Sequence, residues 1–440
     1  MKLPAQCISK KIVFCTLIIA LLWLCLEFYT GSKYSSLRQQ GDLKYYHWDA
    51  KTCWRLRPSI DATVNRRRVH TNSAGFRGQE EYLIESQHAL RILTLGDSRS
   101  YGLAVADQFT YSHVLQDCLR NKNIDAEVMN AGTPGYSIVQ CRAKLEQLLS
   151  YKPDIAILAA GYNDRRYLLL TPPDAAASFE RIALMRNIIG FLQHSNLFYV
   201  ASYHLGKNKL DQLKKQAPSL DQVKVRVDQD VFRQELDAFI ETCRQHNIKP
   251  ILLMIDQNPA VFDITEQAAE LIEKHEYQDA IELLESNPDL HIAAAAYRQY
   301  LLGVCYQLIN EEKQANQHFN NHKPIGSLHG EAILRSQESY FDIIQEVAKR
   351  EAIPALSSQT AIYKINQYSD HPDINNYLDQ FESEGYELAN GQPYKPRVNG
   401  QIIDLENFFR GRLVDESHYD QTGHILIGTA LAELIKDQMN

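Results

Sequence analysis

The sequence Leu-Gly-Asp-Ser-Arg-Ser-Tyr-Gly at residues 95–102 follows a short apolar run, Ile92 to Leu95. Such a run predicts a buried β-strand, and Gly96 permits a tight turn at its end. The turn would lift Ser98 out of the sheet and expose its hydroxyl. Because Gly, Asp and Ser are also common turn formers, two interpretations stay open at this point: a plain turn, or a nucleophile at a strand end.

Apolar runs and helical patterns alternate on both sides of this stretch. Further strands are predicted at 126–131, 154–160, 251–255 and 353–356, and helices at 109–121, 136–151, 229–246 and 339–350. This alternation is typical of βαβ units, so we expect an α/β fold with a parallel sheet.

Three of the predicted strands end in polar, turn-rich clusters. They are 96–98, 130–132 and 161–164. Ligands of parallel sheets bind at the carboxyl ends of the strands, and all three clusters would lie on that one edge. Their shared position favours the interpretation of Ser98 as a nucleophile.

The N-terminus combines basic residues with an apolar run. Lys10 and Lys11 precede the run from Ile12 to Leu26, which is shorter than the roughly 20 residues of a spanning helix. A signal peptide and a short signal anchor both fit, but no small-x-small cleavage site follows, so we expect an uncleaved anchor. The basic residues would keep the N-terminus in the cytoplasm. We therefore predict a single-pass protein of the inner (cytoplasmic) membrane with its catalytic domain on the periplasmic, or extracytoplasmic, side.

Composition limits the function classes. The 440 residues carry a net charge of -8, which argues against a dedicated nucleic-acid binder. The eight cysteines show no metal-type spacing, so no metal site is predicted and no disulfide pair is singled out.

The chain divides into five predicted regions. They are an N-terminal tip and anchor (1–31), an irregular lead-in packed on the catalytic domain (32–88), a first catalytic part (89–262), a helical insert (263–322) and a second catalytic part (323–440). Within the insert, apolar and small residues recur 35 positions apart, as in Ala268 with Gly303 and Ala280 with Ala315. This period indicates a pair of tetratricopeptide-type repeats, with a plain helical hairpin as the alternative.

A serine nucleophile needs a base, and His418 is the best candidate among 15 histidines. Asp415, three residues earlier on the same loop, could bond one ring nitrogen and leave the other free to take the serine proton. His424 begins the predicted C-terminal helix and has no acid at that spacing, so we expect it to be structural.

These blocks together resemble the SGNH/GDSL hydrolase superfamily. Gly96-Asp97-Ser98, Gly132, Gly161-Tyr162-Asn163-Asp164 and Asp415-Glu416-Ser417-His418 occur in the family's order. The resemblance covers about 89–260 and 330–438 and implies a three-layer α/β/α, flavodoxin-like fold. Arg99 departs from the leucine common after the serine, and the all-α helical-repeat insert has no counterpart in the minimal fold.

The resemblance also implies roles. Ser98 would be the nucleophile, His418 the general base and Asp415 its orienting acid. The oxyanion hole would consist of the N–H groups of Ser98 and Gly132 with the Asn163 amide. The implied chemistry is attack on an ester through an acyl-serine intermediate, without a metal or organic cofactor.

Three functions remain open on the sequence. The first is a membrane-anchored, exported esterase that removes acyl groups, acetyl above all, from an ester-bearing substrate such as a cell-envelope polysaccharide. The second is an O-acyltransferase to glycan hydroxyls with the same triad. The third is a non-catalytic envelope scaffold that uses the repeats. The insert would either influence access to the site or bind a protein partner.

Overall fold

The computed structural model describes part of the 440-residue chain. The described residues are 5–33, 45–49, 51–64, 67–85, 90–103, 105–165, 195–198, 200–201, 226–255, 259–288, 292–321, 337–358, 361, 418–419 and 421–439. The chain forms two compact units, which are described separately. One comprises Met1–Arg57 with Ala177–Gln216, and the other comprises Pro58–Ala176 with Ala217–Asn440.

The first unit contains helix α1 (Ala5–Lys33) and a hairpin of strands β1 (Tyr46–Asp49) and β2 (Cys53–Leu56). Among the described residues, Cys15–Lys33 is long and apolar enough to cross a membrane, with a mean hydropathy of 1.6. Length and composition alone support this, and a signal sequence would meet the same criterion.

Glu27 interrupts the apolar surface of α1 and has a defined partner. Its carboxylate accepts hydrogen bonds from the Ser195 hydroxyl at 2.8 Å and the Leu197 N–H at 3.2 Å. These donors lie at the start of a helical turn that begins at 196–198. A carboxylate at a helix start satisfies N–H groups that have no partner within the helix.

The second unit contains a five-stranded parallel sheet and an antiparallel hairpin. The hairpin strands are β3 (Asp61–Val64) and β4 (Arg67–His70). The sheet strands are β5 (Leu90–Gly96), β6 (Ala126–Asn130), β7 (Ile155–Ala159), β8 (Lys249–Met254) and β9 (Ala355–Ser357). Their spatial order is β6-β5-β7-β8-β9, and Ile92 of β5 pairs with both Val128 and Ile155. In order of appearance this is 2-1-3-4-5, the flavodoxin-like order.

Helices connect and cover the strands of this sheet. They are α2 (Ser98–Tyr101), α3 (Tyr111–Asn121), α4 (Ile138–Leu148), α5 (Gln229–Gln245) and, after the four helices of the insert, α10 (Gln337–Glu351) and α11 (Gln421–Asp437). Helices α3 and α11 pack together, α5 contacts both α4 and α10, and α4, α5 and α10 each contact a strand of the sheet.

The sheet is buried on both faces. One core cluster joins Ile92, Ile157 and Leu253 to apolar residues of α3 and α11. Leu93 and Leu95 are equally buried and, by strand alternation, point to the opposite face. Strands buried on both sides are typical of parallel sheets. The α/β fold with a parallel sheet is therefore confirmed.

The insert consists of four helices with a core of their own. They are α6 (Pro259–Glu273), α7 (Tyr277–Ser286), α8 (Ile292–Leu308) and α9 (Glu312–Asn321). Ala268, Leu284 and Leu302 are among the fully buried residues of this cluster.

The backbone of the insert repeats at the period found in the sequence. His275 and Asn310 end the first helix of each pair with φ values of 64° and 63°. The hydrogen bond from Glu276 N–H to Leu271 C=O recurs from Glu311 to Tyr306, both at 2.8 Å. The two halves of the insert therefore share one turn geometry, 35 residues apart.

The lead-in differs from the expectation of an irregular segment at 32–88. Residues 46–56 and 61–70 form two hairpins. Their strands are only four residues long, too short for a periodic pattern to signal them, and the β3–β4 pair is linked by Arg68 and Asp61 at 2.9 Å. Further along the lead-in, Arg77 is buried and donates to the Val105 carbonyl at 2.9 Å.

Candidate active site

The turn after β5 requires glycine because the backbone of a neighbouring strand is close. A Cβ at Gly96 would lie 2.6 Å from the Ala159 carbonyl and 2.2 Å from the Ser100 hydroxyl. Asp97 then caps α2 by accepting from the Arg99 N–H at 2.9 Å. Ser98 is thus the first residue of a short helix at the carboxyl end of a central strand.

His418 lies within hydrogen-bond distance of this serine. Its Nε2 is 2.7 Å from Ser98 Oγ, although the two residues are 320 positions apart in the chain. Helix α11 begins three residues after His418. Asp415, the predicted orienting acid, lies outside the described residues.

His424 has a structural position. Its Nδ1 accepts the Tyr111 N–H at 3.2 Å, and the two rings stack with centroids 5.9 Å apart. Burial, together with the nearby His418 and Arg77, lowers the pKa of His424 to about 3. A neutral imidazole that accepts a backbone N–H inside the core fits the structural role expected from the sequence.

Gly132 lies beside the turn that carries Ser98, as its strand-end position predicted. A Cβ here would lie 2.4 Å from the Tyr101 backbone nitrogen, so only glycine allows this approach. Its N–H donates to Asn130 Oδ1 at 3.0 Å, while Asn130 Nδ2 donates to the Ser100 carbonyl at 3.0 Å. The Asn130 amide therefore joins this loop to α2.

Asn163 reaches the same cluster from the end of β7. Its Nδ2 donates to Asp97 Oδ2 and to the Tyr136 carbonyl, each at 3.1 Å. Its neighbour Asp164 accepts the Gly161 N–H at 2.9 Å and the Ile138 N–H at 2.8 Å. The strand-end loop that carries the amide is thus fixed to the start of α4.

The three proposed oxyanion donors differ in whether they already donate a hydrogen bond within the protein. The Gly132 N–H and both protons of the Asn163 amide already have acceptors within the protein. The Ser98 N–H, by contrast, donates to no residue in the described part of the chain.

Arg99 is buried at this edge, a position that the sequence did not predict. Its side chain is 1% exposed and binds the Asp97 carboxylate through Nε at 3.2 Å and Nη2 at 3.1 Å. Its Nη1 also donates to the Ile255 carbonyl, beyond the end of β8. The only signal in the sequence was the replacement of the family's usual leucine.

Metal-ligand clusters and disulfides are not found in the part of the chain that the structure describes. No group of three or more His, Cys, Asp or Glu side chains there could hold a metal ion. The seven cysteines described there are not joined in disulfides.

The fold and the pair together define a class of protein. A hydroxyl and an imidazole at the carboxyl edge of a parallel α/β sheet have the arrangement of a serine hydrolase.

The comparison with protein families specifies that class. Residues 94–301 match the model of the GDSL-like Lipase/Acylhydrolase family. The region that carries Ser98, Gly132 and Asn163 is therefore a GDSL/SGNH acylhydrolase domain, and the protein is an ester-bond hydrolase. His418 lies beyond the matched residues. No curated protein matches the chain.

Solved structures with weak similarity carry related descriptions. A member of the lipolytic protein G-D-S-L family from Veillonella parvula is 10% identical, with a TM-score of 0.32, over 79% of this chain and 99% of its own. The lipase/acylhydrolase from Enterococcus faecalis is 12% identical, with a TM-score of 0.33, over 79% and 96%. AlinE4, a SGNH-hydrolase family esterase, is 18% identical, with a TM-score of 0.24, over 40% and 65%. At such TM-scores these similarities add nothing to the assignment.

Proposed function

We propose that Ser98 is the nucleophile and His418 the general base of this esterase. The observation that carries the proposal is the 2.7 Å contact between His418 Nε2 and Ser98 Oγ. Ser98 Oγ attacks the ester carbonyl carbon while its proton passes to His418. The tetrahedral intermediate then collapses, and His418 returns the proton to the departing alcohol.

Deacylation uses the same base. Water attacks the acyl-serine carbonyl carbon and gives its proton to His418. The bond from that carbon to Ser98 Oγ then breaks, the carboxylic acid leaves, and His418 returns the proton to Ser98 Oγ. Asp415 would hold the His418 ring by its other nitrogen, as proposed from the three-residue spacing. An Asp415→Asn variant is expected to lose much of kcat, because the asparagine amide favours the wrong tautomer.

The oxyanion would be stabilised first by the Ser98 N–H, which donates to none of the residues that the structure describes. Gly132 would exchange Asn130 Oδ1 for the charged oxygen, and Asn163 would exchange the Tyr136 carbonyl for it while still donating to Asp97. Each such donor contributes about 2.7–4 kcal/mol of barrier lowering in comparable sites. The sequence positions and the packing around Ser98 support this assignment.

We further propose that the enzyme is anchored by α1 and removes acetyl groups from an envelope glycan. The apolar segment Cys15–Lys33 and the basic residues before it support an exported domain. The insert is proposed to be a tetratricopeptide-like pair of repeats, supported by its 35-residue backbone period, and to act at the site entrance or on a protein partner.

The test uses the full-length chain in detergent. Wild type and Ser98→Ala are compared on p-nitrophenyl acetate and on an O-acetylated polysaccharide, with acetate release measured for both. We expect Ser98-dependent turnover of both substrates. Absence of Ser98-dependent turnover on any ester would contradict the nucleophile assignment. Transfer of acetyl to an added oligosaccharide in place of water would instead support the acyltransferase alternative.

Deleting residues 264–322 tests the insert. If the insert walls the entrance, the deletion changes the ratio of rates on the polysaccharide and the small ester. An unchanged ratio contradicts that role and leaves the partner-binding role.

A further inference from the structure

We propose that Arg99 is a positioning residue for ester hydrolysis, because it neutralises Asp97 and thereby keeps the Asn163 amide in place beside Ser98. The inference rests on the proposed roles of Ser98 and Asn163. Arg99 itself is not proposed to touch the substrate.

The guanidinium of Arg99 is held on several sides. Two of its nitrogens bind both oxygens of Asp97, and Nη1 donates to the Ile255 carbonyl. Its face lies over the Tyr162 ring, 4.6 Å from the centroid. A guanidinium group is planar, so it can bind a carboxylate through two nitrogens and stack on an aromatic ring at the same time. The ammonium group of lysine cannot do this. Arg99 therefore fixes Asp97 relative to two other strand ends.

Asp97 in turn holds the side-chain amide of Asn163 by a hydrogen bond. The same oxygen, Asp97 Oδ2, accepts from Arg99 Nη2 and from Asn163 Nδ2, both at 3.1 Å. The orientation of the amide thus depends on where the carboxylate is held. A carboxylate displaced by the loss of Arg99 would carry the amide with it.

Charge gives a second reason for a role in the reaction. Asp97 is 1% exposed and directly precedes Ser98, where negative charge develops on the substrate oxygen during attack. A buried carboxylate without a cation would oppose that charge, because charges away from solvent are weakly screened. Arg99 removes this opposition without contributing a positive net charge to the pair.

The experiment measures kcat and KM of the full-length enzyme on p-nitrophenyl acetate. The variants are Arg99→Met, Arg99→Lys and the double variant Asp97→Asn with Arg99→Met. The matched control is Arg91→Met, which breaks another buried pair, Arg91 with Glu127, at the opposite end of β5. Thermal midpoints are recorded for all of them.

The inference predicts a specific pattern. Arg99→Met lowers kcat about 100-fold, comparable to losing one oxyanion donor, and leaves KM within about twofold. Arg99→Lys keeps the charge but loses the two-nitrogen contact with Asp97, so its kcat lies between those of the wild type and Arg99→Met. This variant tests the inference if Arg99→Met does not fold. The double variant has a kcat at least about tenfold higher than that of Arg99→Met, because replacement of a buried ion pair by neutral groups is often tolerated. Arg91→Met lowers the thermal midpoint and leaves kcat unchanged.

Three outcomes overturn the inference. One is a wild-type kcat in a folded Arg99 variant, and another is a double variant no faster than Arg99→Met alone. The third is an equal loss of kcat in Arg91→Met, which would indicate a general effect of broken buried pairs. Failure of the proposed function looks different, because the wild-type enzyme itself would then lack Ser98-dependent turnover.

Discussion

The carboxyl edge of the sheet, where Ser98 lies, and the helical insert belong to the same unit. They differ in how far apart in the chain the contacting residues are. The edge joins residues that are far apart in the chain, such as Ser98, Asn163 and His418. The insert packs neighbouring helices around a local core, and its second half repeats the turn of its first half. Geometry at the edge therefore depends on sheet topology, whereas geometry in the insert depends on a short sequence period. Substitutions in the two regions should consequently affect different measurements.

The largest expected loss of kcat comes from replacing His418 at the carboxyl edge of the sheet. His418→Ala should lower kcat at least about 10⁴-fold on p-nitrophenyl acetate, because the nucleophile loses its base. Adding Ser98→Ala should cost little more, since the two residues act as a unit. His246→Ala, at an exposed helix end, should retain full activity. Substantial turnover by His418→Ala would mean that another base serves Ser98.

Asn163→Ala should give the next largest effect. Loss of the amide should lower kcat about 100- to 1000-fold with little change in KM, because the donor acts mainly on the charged intermediate. Asn287→Ala removes an amide that bonds within the insert and should leave kcat unchanged. An equal loss of kcat in both variants would contradict the expectation that the edge of the sheet, and not the insert, determines the rate of the chemistry.

Gly303→Ala should affect stability and leave the chemistry intact. A Cβ at Gly303 would lie 2.6 Å from the Phe319 ring, and overpacking of this kind typically costs about 1–3 kcal/mol. The loss should appear as faster hydrogen exchange in α8 and α9. Combining it with Phe319→Leu should restore part of the protection. A lowered kcat on the small ester would show that the insert and the site are coupled.

The smallest effect concerns pH. Burial holds the pKa of His424 at about 3 in the folded protein, against about 6.5 when unfolded. Between these values the unfolded chain binds a proton that the folded chain does not. The free energy of unfolding should therefore fall as pH drops below about 6.5, by about 1.4 kcal/mol per pH unit from this group.

His424→Asn should remove this contribution, because the asparagine oxygen can accept the Tyr111 N–H without titrating. Denaturant unfolding at pH 5.5 and 4.5 measures the difference. His246→Asn is the control and should keep the wild-type slope. An unchanged slope in His424→Asn would show that His424 is not the group responsible.

Much of the fold was predictable because its signals are local. Continuous apolar runs indicated the strands, and their polar ends placed Ser98, Gly132 and Asn163 on one edge. The roles of these residues remain proposals, and the sequence could not predict their partners. Sheet order brings the Ile255 carbonyl, from the end of β8, within reach of Arg99 on the turn that carries Ser98. No spacing along the chain contains that information.

The burial of Arg99 was equally hidden, since arginine is ordinarily exposed. A charged residue next to a serine gave no sign that it would bind the preceding aspartate inside the protein. The hairpins of the lead-in escaped prediction for a different reason. Four-residue strands are too short for a periodic pattern, so their pairing is decided by contacts that lie outside the segment.

The hydrogen bond from the Gly132 N–H to Asn130 Oδ1 has a consequence for inhibitor selectivity. A neutral carbonyl that displaces Asn130 exchanges one ordinary hydrogen bond for another and gains little. An anionic tetrahedral group, such as a phosphonate on Ser98, would form a charge-assisted bond of roughly twice the strength. Compounds that mimic the charged intermediate should therefore be favoured over substrate-like ketones or amides by more than their shapes alone would suggest.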